Sequence, residues 1–406
     1  MGSSTRAPAT LVVAAFIMTM SSAFGQTFFI GLFAPSIKAD LGLTDGGFGS
    51  FYAIATLASA GLLFWAGKFA DRTRIRWLAA GSLFGLALAC IAMAKIDLAW
   101  LLVPTLLLLR FFGQGAQGHL AITGVGRWYR RRRGKMMALA VMGVPVSEAI
   151  TPSLAVLVIA ALGWREAWLL GAAFLCFVSV PLVLFFLRQE PAHDQVLETE
   201  GPGRQPSREW TRGEVLRTPL FFAVLAGVVT PSFVVTGVFF NAGNLAVLKG
   251  WTLSWYASWL PLYAVVGILS SLATGWLVDR LSARLLLPFG LLPLGGSLLL
   301  LVLWHSLYAV PAFLALMALT QGSSQTLLGA LWAELFGTRH LGAIRSAAVS
   351  AQILATALAP GLMGLLLDLQ VGLDAQLTVI AIYTFAAAAG LWLLQPRLKR
   401  LTTQMA

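Results

Sequence analysis

Arg110 and Glu148 are ionisable residues set deep in long apolar runs of this 406-residue chain, each about a dozen residues from the start of its run. A guanidinium so placed offers a planar fork of donors that suits a carboxylate, and a carboxyl group at the same depth can carry a proton. Ionisable groups inside membrane-spanning stretches are costly, and they point to ligand or proton chemistry. On a helical wheel Gln114 and Gln117 share the face of Arg110, whereas His119 stands about 180° away. Further polar groups at mid-run positions are Gln26, Thr27, Tyr52, Asn241, Asn244, Tyr263, Gln321, Gln325 and Gln352. Many amides and hydroxyls around one cation suit recognition of a small anion. Catalysis is not expected. The four histidines, at 119, 193, 305 and 340, form no metal-ligand spacing, and no nucleotide loop or Ser/His/Asp set lies in a suitable context. No enzyme activity, metal or cofactor is therefore expected.

The elements that must position these groups are spanning helices. The chain is 58% hydrophobic and 11% charged, whereas a soluble domain carries about 25% charged residues. A spanning helix needs about 20 apolar residues, and twelve such runs are present. Their approximate limits are 10 to 34, 46 to 66, 77 to 95, 98 to 124, 136 to 160, 165 to 187, 219 to 247, 253 to 277, 285 to 304, 308 to 334, 343 to 367 and 374 to 394. The first run is read as a span, because it is longer than the apolar region of a signal peptide and continues through "QTFFIGLFAP" without a break. Cys90 and Cys176 lie within runs and are read as packing residues.

Basic residues give the orientation. With the N-terminus inside, cytoplasmic segments hold 23 of the 28 Lys and Arg residues, and outside loops hold Lys38, Lys95, Arg165 and Lys249. Both termini are expected to be cytoplasmic. The run "RWYRRRRGK" is then an orientation and lipid-contact signal and implies no nucleic-acid partner. "GQGAQG", at Gly113, matches a dinucleotide-binding pattern by letter, but it lies within a helix and reads as a close-packing face.

The chain also repeats. "GKFADRTRIR" at Gly67 returns as "GWLVDRLSAR" at Gly275, and the same step of 208 carries Gly42 to Gly250, Thr44 to Thr252, Gly134 to Gly342 and Pro152 to Pro360. Two six-helix halves in the same orientation follow. The expected domains are 1–187 and 219–406, joined by a charged, Pro- and Gly-rich cytoplasmic linker at 188–218.

With these features the chain resembles the major facilitator superfamily over essentially its whole length. The resemblance rests on "GKFADRTRIR" and its echo, on "RFFGQGAQG" in the fourth span and on "GWREAW" before the sixth. "EVLRTPLFF" and "LGLTDGGFGSFYAIATL" are similar to the monocarboxylate and oxalate/formate branch, although the charged residues that many of its members carry in helices 8 and 11 are absent. The resemblance implies an all-α integral membrane fold of twelve helices in two pseudo-symmetric bundles. It also implies a cytoplasmic gate, with Asp71 and Arg72 near Arg127 and Arg345, and with Asp279, Arg280 and Glu334 as the echo.

The function expected is secondary active transport of a small organic anion such as a monocarboxylate, by alternating access, coupled to protons or to exchange. Arg110 would receive the carboxylate and Glu148 would carry the proton. The alternatives are a proton-driven exporter of amphiphilic compounds, with Phe28, Phe29, Trp259 and Tyr263 in a large pocket, and a non-transporting membrane sensor. A monomer in a bacterial inner membrane is expected, with solute, protons and lipid as its partners.

Overall fold

The computed structural model describes residues 10–66, 73–128, 133–190, 210–337 and 341–403, without the side chains of 64–66, 126, 127, 133–135, 279, 325, 341–343, 346, 402 and 403. The described residues are overwhelmingly helical and contain no strand. Lipid offers no hydrogen bonds to the backbone, so apolar runs of this length satisfy their amides internally as helices.

Two compact units, 1–200 and 201–406, divide the chain. The first contains α1 (Thr10–Leu41), α2 (Asp45–Ala66), α3 (Ile75–Ala94), α4 (Ala99–Val125), α5 (Met136–Leu162) and α6 (Trp164–Gln189). The second contains α7 (Pro219–Phe240), α8 (Leu253–Val278), α9 (Ala283–Leu303), α10 (Ala309–Phe336), α11 (Leu341–Asp368) and α12 (Leu373–Leu393). Among the described residues eleven helices are long and apolar enough to cross a membrane. The remaining expected run, 308–334, corresponds to the 28-residue helix α10.

Local chemistry explains part of the 208-residue repeat. Gly42 ends α1 with φ +62°, and Gly250 ends the short helix Ala242–Lys249 after α7 with φ +68°, a left-handed conformation that glycine adopts without penalty. Two residues later a threonine starts the next helix. Thr44 Oγ1 accepts from the Gly47 amide at 3.0 Å, and Thr252 Oγ1 accepts from the Trp255 amide at 3.1 Å. The same Gly-x-Thr corner thus joins the first and second helices of each unit.

Carboxylates cap the third helix of each unit at matching positions but come from different elements. Glu190, after α6, accepts from the amides of Ile75 and Arg76 at 2.9 and 3.0 Å. Glu334, near the end of α10, accepts from the amides of Ala283 and Arg284 at 2.8 and 3.4 Å. Each places negative charge at the positive end of a helix.

Aromatic side chains anchor part of each core, which is otherwise mostly aliphatic. In the first unit Phe29, Phe33 and the fully buried Trp168 meet with ring centroids 4.7 to 5.4 Å apart. Phe28 and Phe29 are buried, so Phe29 is a packing residue and lines no open vestibule. In the second unit Phe221, Trp332 and Phe336 anchor the cluster between α7, α9 and α10.

Candidate functional site

Two irregular stretches build the centre of the first unit. The helix of α1 tightens to a 3-10 turn at Ser22–Gly25 and breaks at Gln26, whose backbone is extended. The Phe29 amide bonds to the Gln26 carbonyl, so the Gly25 carbonyl is released from the helical ladder. Opposite it, α4 widens into a π-helical segment, Arg110–Gln117. Such widenings are rare and concentrate at functional sites. Gly25 and Gly113 allow the two backbones to meet: a Cβ on Gly25 would lie 2.2 Å from the Leu109 carbonyl and 2.7 Å from Gly113 Cα.

Arg110 fills the gap at the break and is 1% exposed. Its Nη1 donates to the Gly25 carbonyl at 3.0 Å and to Thr27 Oγ1 at 3.3 Å. Its Cζ lies 5.0 Å from the centroid of the Tyr52 ring, and the Tyr52 hydroxyl and Thr27 Oγ1 are 2.6 Å apart. Every one of these partners is neutral. Among the described residues no carboxylate pairs with Arg110, and its Nε, though buried, has no hydrogen-bond partner. A buried cation is costly without a counter-charge, so this arrangement is suited to receive an anion.

Glu148 lies in α5 and is half-buried. Although Arg110 and Glu148 lie at a common depth in their runs, they form no ion pair with each other among the described residues. Pro152, four residues on, has no N–H for the Glu148 carbonyl, which loosens the helix at the acid.

The wheel drawn at 100° per residue does not hold for Gln117 across the π segment. Arg110 and Gln117 are buried whereas Gln114 and His119 are exposed. Gln117 turns to α3, where its Nε2 donates to Ser82 Oγ at 2.9 Å. Gln26 is half-buried and donates to Ser22 Oγ at 3.3 Å.

In the second unit α7 ends at Asn241, whose Nδ2 donates to the Gly237 carbonyl at 3.0 Å and whose Oδ1 accepts from Asn244 at 3.2 Å. Tyr263 is buried, edge-on to Phe239 at 5.3 Å. Gln321 and Gln352 are half-buried, and the Gln325 side chain lies outside the described residues.

Of the expected gate, Asp71, Arg72 and the side chains of Arg127 and Asp279 lie outside the described residues. Arg280 is exposed with its guanidinium 3.9 Å from the Trp276 ring centroid, and Arg345 is exposed. Glu334 pairs with Arg284 at 3.1 Å.

The structure brings together Arg110, Thr27 and Tyr52, three residues the sequence singled out, and adds the Gly25 carbonyl, while Ser82 partners Gln117. Gly25 carried a signal, since it closes the small-residue stretch "SSAFG", but small residues in an apolar run do not announce a helix break.

The family described as Major Facilitator Superfamily matches residues 15–292 and 249–404. No curated protein sequence matches the chain. Among solved structures, the chain is similar to a bacterial homolog of the human lysosomal transporter Spinster in its inward-facing, unoccupied conformation. The TM-score is 0.77 at 14% identity, with 99% of each chain covered. The inward-facing, occupied form of that homolog aligns with TM-score 0.76 at 14% identity, covering 97% of this chain and 98% of that one.

Proposed function

Since the chain belongs to the Major Facilitator Superfamily of multi-pass membrane transporters, we propose that its cargo is a small organic anion held by Arg110. The observation that carries this reading is a fully buried guanidinium whose fixed partners are a carbonyl, a hydroxyl and an aromatic face. Nη1 is committed to Gly25 and Thr27, so the incoming carboxylate meets the Nε edge, where a two-pronged contact satisfies the unpartnered donor. Tyr52 holds the guanidinium plane. Glu148 serves as the proton carrier, and its protonation state sets the net charge around the cargo.

Uptake of radiolabelled monocarboxylates into liposomes holding purified protein tests this proposal. Arg110→Gln keeps a donor for the Gly25 carbonyl but removes the charge, so it should leave folded protein and abolish saturable uptake. Arg110→Lys should restore uptake in part, because lysine lacks the planar fork. Glu148→Gln should still exchange cargo but should not accumulate it against a gradient. Full uptake by a folded Arg110→Gln protein would overturn the assignment.

A second reading, export of amphiphilic compounds, is favoured by a cavity of about 630 Å³ within the second unit, lined by apolar residues of α7, α11 and α12 that include Phe222, Phe233, Leu354 and Tyr383. On that reading dye efflux persists in Arg110→Gln and is lost when Ala355 is enlarged to Phe.

A further inference from the structure

Each unit joins the ends of its first, third and sixth helices with an ion pair on the side that the basic-residue distribution assigns to the exterior, and the two pairs have opposite charge order. In the first unit Asp40, at the end of α1, pairs with Arg165, at the start of α6, and Arg165 Nη2 donates to the Ile96 carbonyl just beyond α3 at 3.2 Å. In the second unit Lys249 ends the helix that follows α7 and pairs with Asp374, at the start of α12, at 2.8 Å. Lys249 Nζ also donates to the Val302 carbonyl at the end of α9, at 3.4 Å. The 208-residue step carries Asp40, Arg165 and Ile96 to within two residues of Lys249, Asp374 and Val302. Acid on the first helix and base on the sixth become base on the first and acid on the sixth.

One group has no counterpart. His305 Nε2 lies 3.3 Å from Lys249 Nζ, and the Lys249 side chain is wholly buried. A lysine ammonium has donors only, so the ring nitrogen must accept, which requires a neutral imidazole with its proton on Nδ1. We propose that Lys249, Asp374 and His305 form a proton-sensitive clasp. A proton on Nε2 removes the acceptor and sets a second cation against the buried ammonium, with Asp374 as the single carboxylate to serve both. The outer ends of the Ala242–Lys249 helix, α9 and α12 then loosen. Among the described residues those three are the titratable groups of the cluster, Lys249 from the short helix, Asp374 from α12 and the exposed His305 from just beyond α9, and the Asp40–Arg165 clasp contains no histidine.

The sign follows from which state binds the proton. The clasp requires neutral His305, so it is closed while the imidazole is unprotonated and opens as pH falls and the ring gains its second proton.

Hydrogen exchange of the full chain in phosphatidylcholine and phosphatidylglycerol nanodiscs, corrected for the intrinsic effect of pH, reads this directly. Between about pH 7.5 and 5.5 the wild type should exchange roughly tenfold faster over 242–249 and 298–305, with no change over 33–41 and 90–97. In His305→Gln, which cannot gain charge, the acceleration should vanish. Three results would overturn the clasp: no acceleration in the wild type, the same acceleration in His305→Gln, or an equal response at the Asp40 corner. The wild-type comparison of the two corners stands even if the variant fails to fold.

Discussion

Gly113, Gly115 and Gly118 share one motif but meet different surroundings, and each substitution should read its own. A Cβ on Gly113 would lie 2.6 Å from Gly25 Cα, which is backbone and cannot give way. Gly113→Ala should therefore cost about 2 kcal/mol or more and separate α1 from α4 at the Arg110 site. At Gly115 the nearest atom is the end of the flexible Leu63 side chain at 3.1 Å, so a milder loss is expected. At Gly118 nothing lies within 4 Å, and Ala should stabilise the helix by about 0.5 kcal/mol. Thermal unfolding midpoints of the three variants should rank in that order, and equal losses would show that the motif packs as a unit. Near Arg110, loss of Thr27 should matter less than loss of the arginine: Thr27→Val keeps the Gly25 contact and should weaken uptake without abolishing it.

Ion pairs between helix ends divide by burial. Asp374→Asn leaves the buried Lys249 ammonium without its counter-charge, at a cost of about 2 kcal/mol, less than for a fully enclosed pair because Asp374 is 40% exposed. The double variant Lys249→Met with Asp374→Asn should recover most of that loss. Asp40→Asn touches a more exposed pair and should lower the unfolding midpoint less. Since the second unit uses the same corner with reversed polarity, exchanging both charges of the first, Asp40→Arg with Arg165→Asp, should be tolerated better than either reversal alone. Equal midpoints for the single and double reversals would show that the charges do not interact. Carboxylate caps at the other end of α3 and α9 use the same economy, with Glu190 and Glu334 reaching identical backbone positions from unrelated helices.

For the molecule as a whole, orientation in the bilayer is expected to follow from the spread of Lys and Arg over many short loops. No single loop holds the majority. Neutralising Arg130 and Arg131 should leave insertion and transport nearly unchanged, because Arg127, Arg132, Arg133 and Lys135 remain on the same segment. Cysteine accessibility at the two ends of α4 measures the orientation. Inverted labelling, or correctly inserted protein that no longer transports, would show that the basic run has a role beyond orientation.

Apolar length and the 208-residue repeat made the helices and the two six-helix halves legible, because each reflects a one-dimensional constraint: how far hydrocarbon extends, and how a duplicated unit is copied. Burial of Arg110 could be inferred from its depth in a run. Its partners could not, since the Gly25 carbonyl becomes an acceptor only when α1 breaks at Gln26, and across the π segment of α4 Gln117 turns to Ser82 on α3. The corner clasps were likewise unreadable: Lys249 and Arg165 count equally as outside charges in the sequence, and only packing buries one completely while leaving the other partly in solvent. Sequence sets which residues lie at which depth, but the pairing of side chains depends on how helices cross, and the crossings are decided by close backbone contacts such as Gly25 with Gly113.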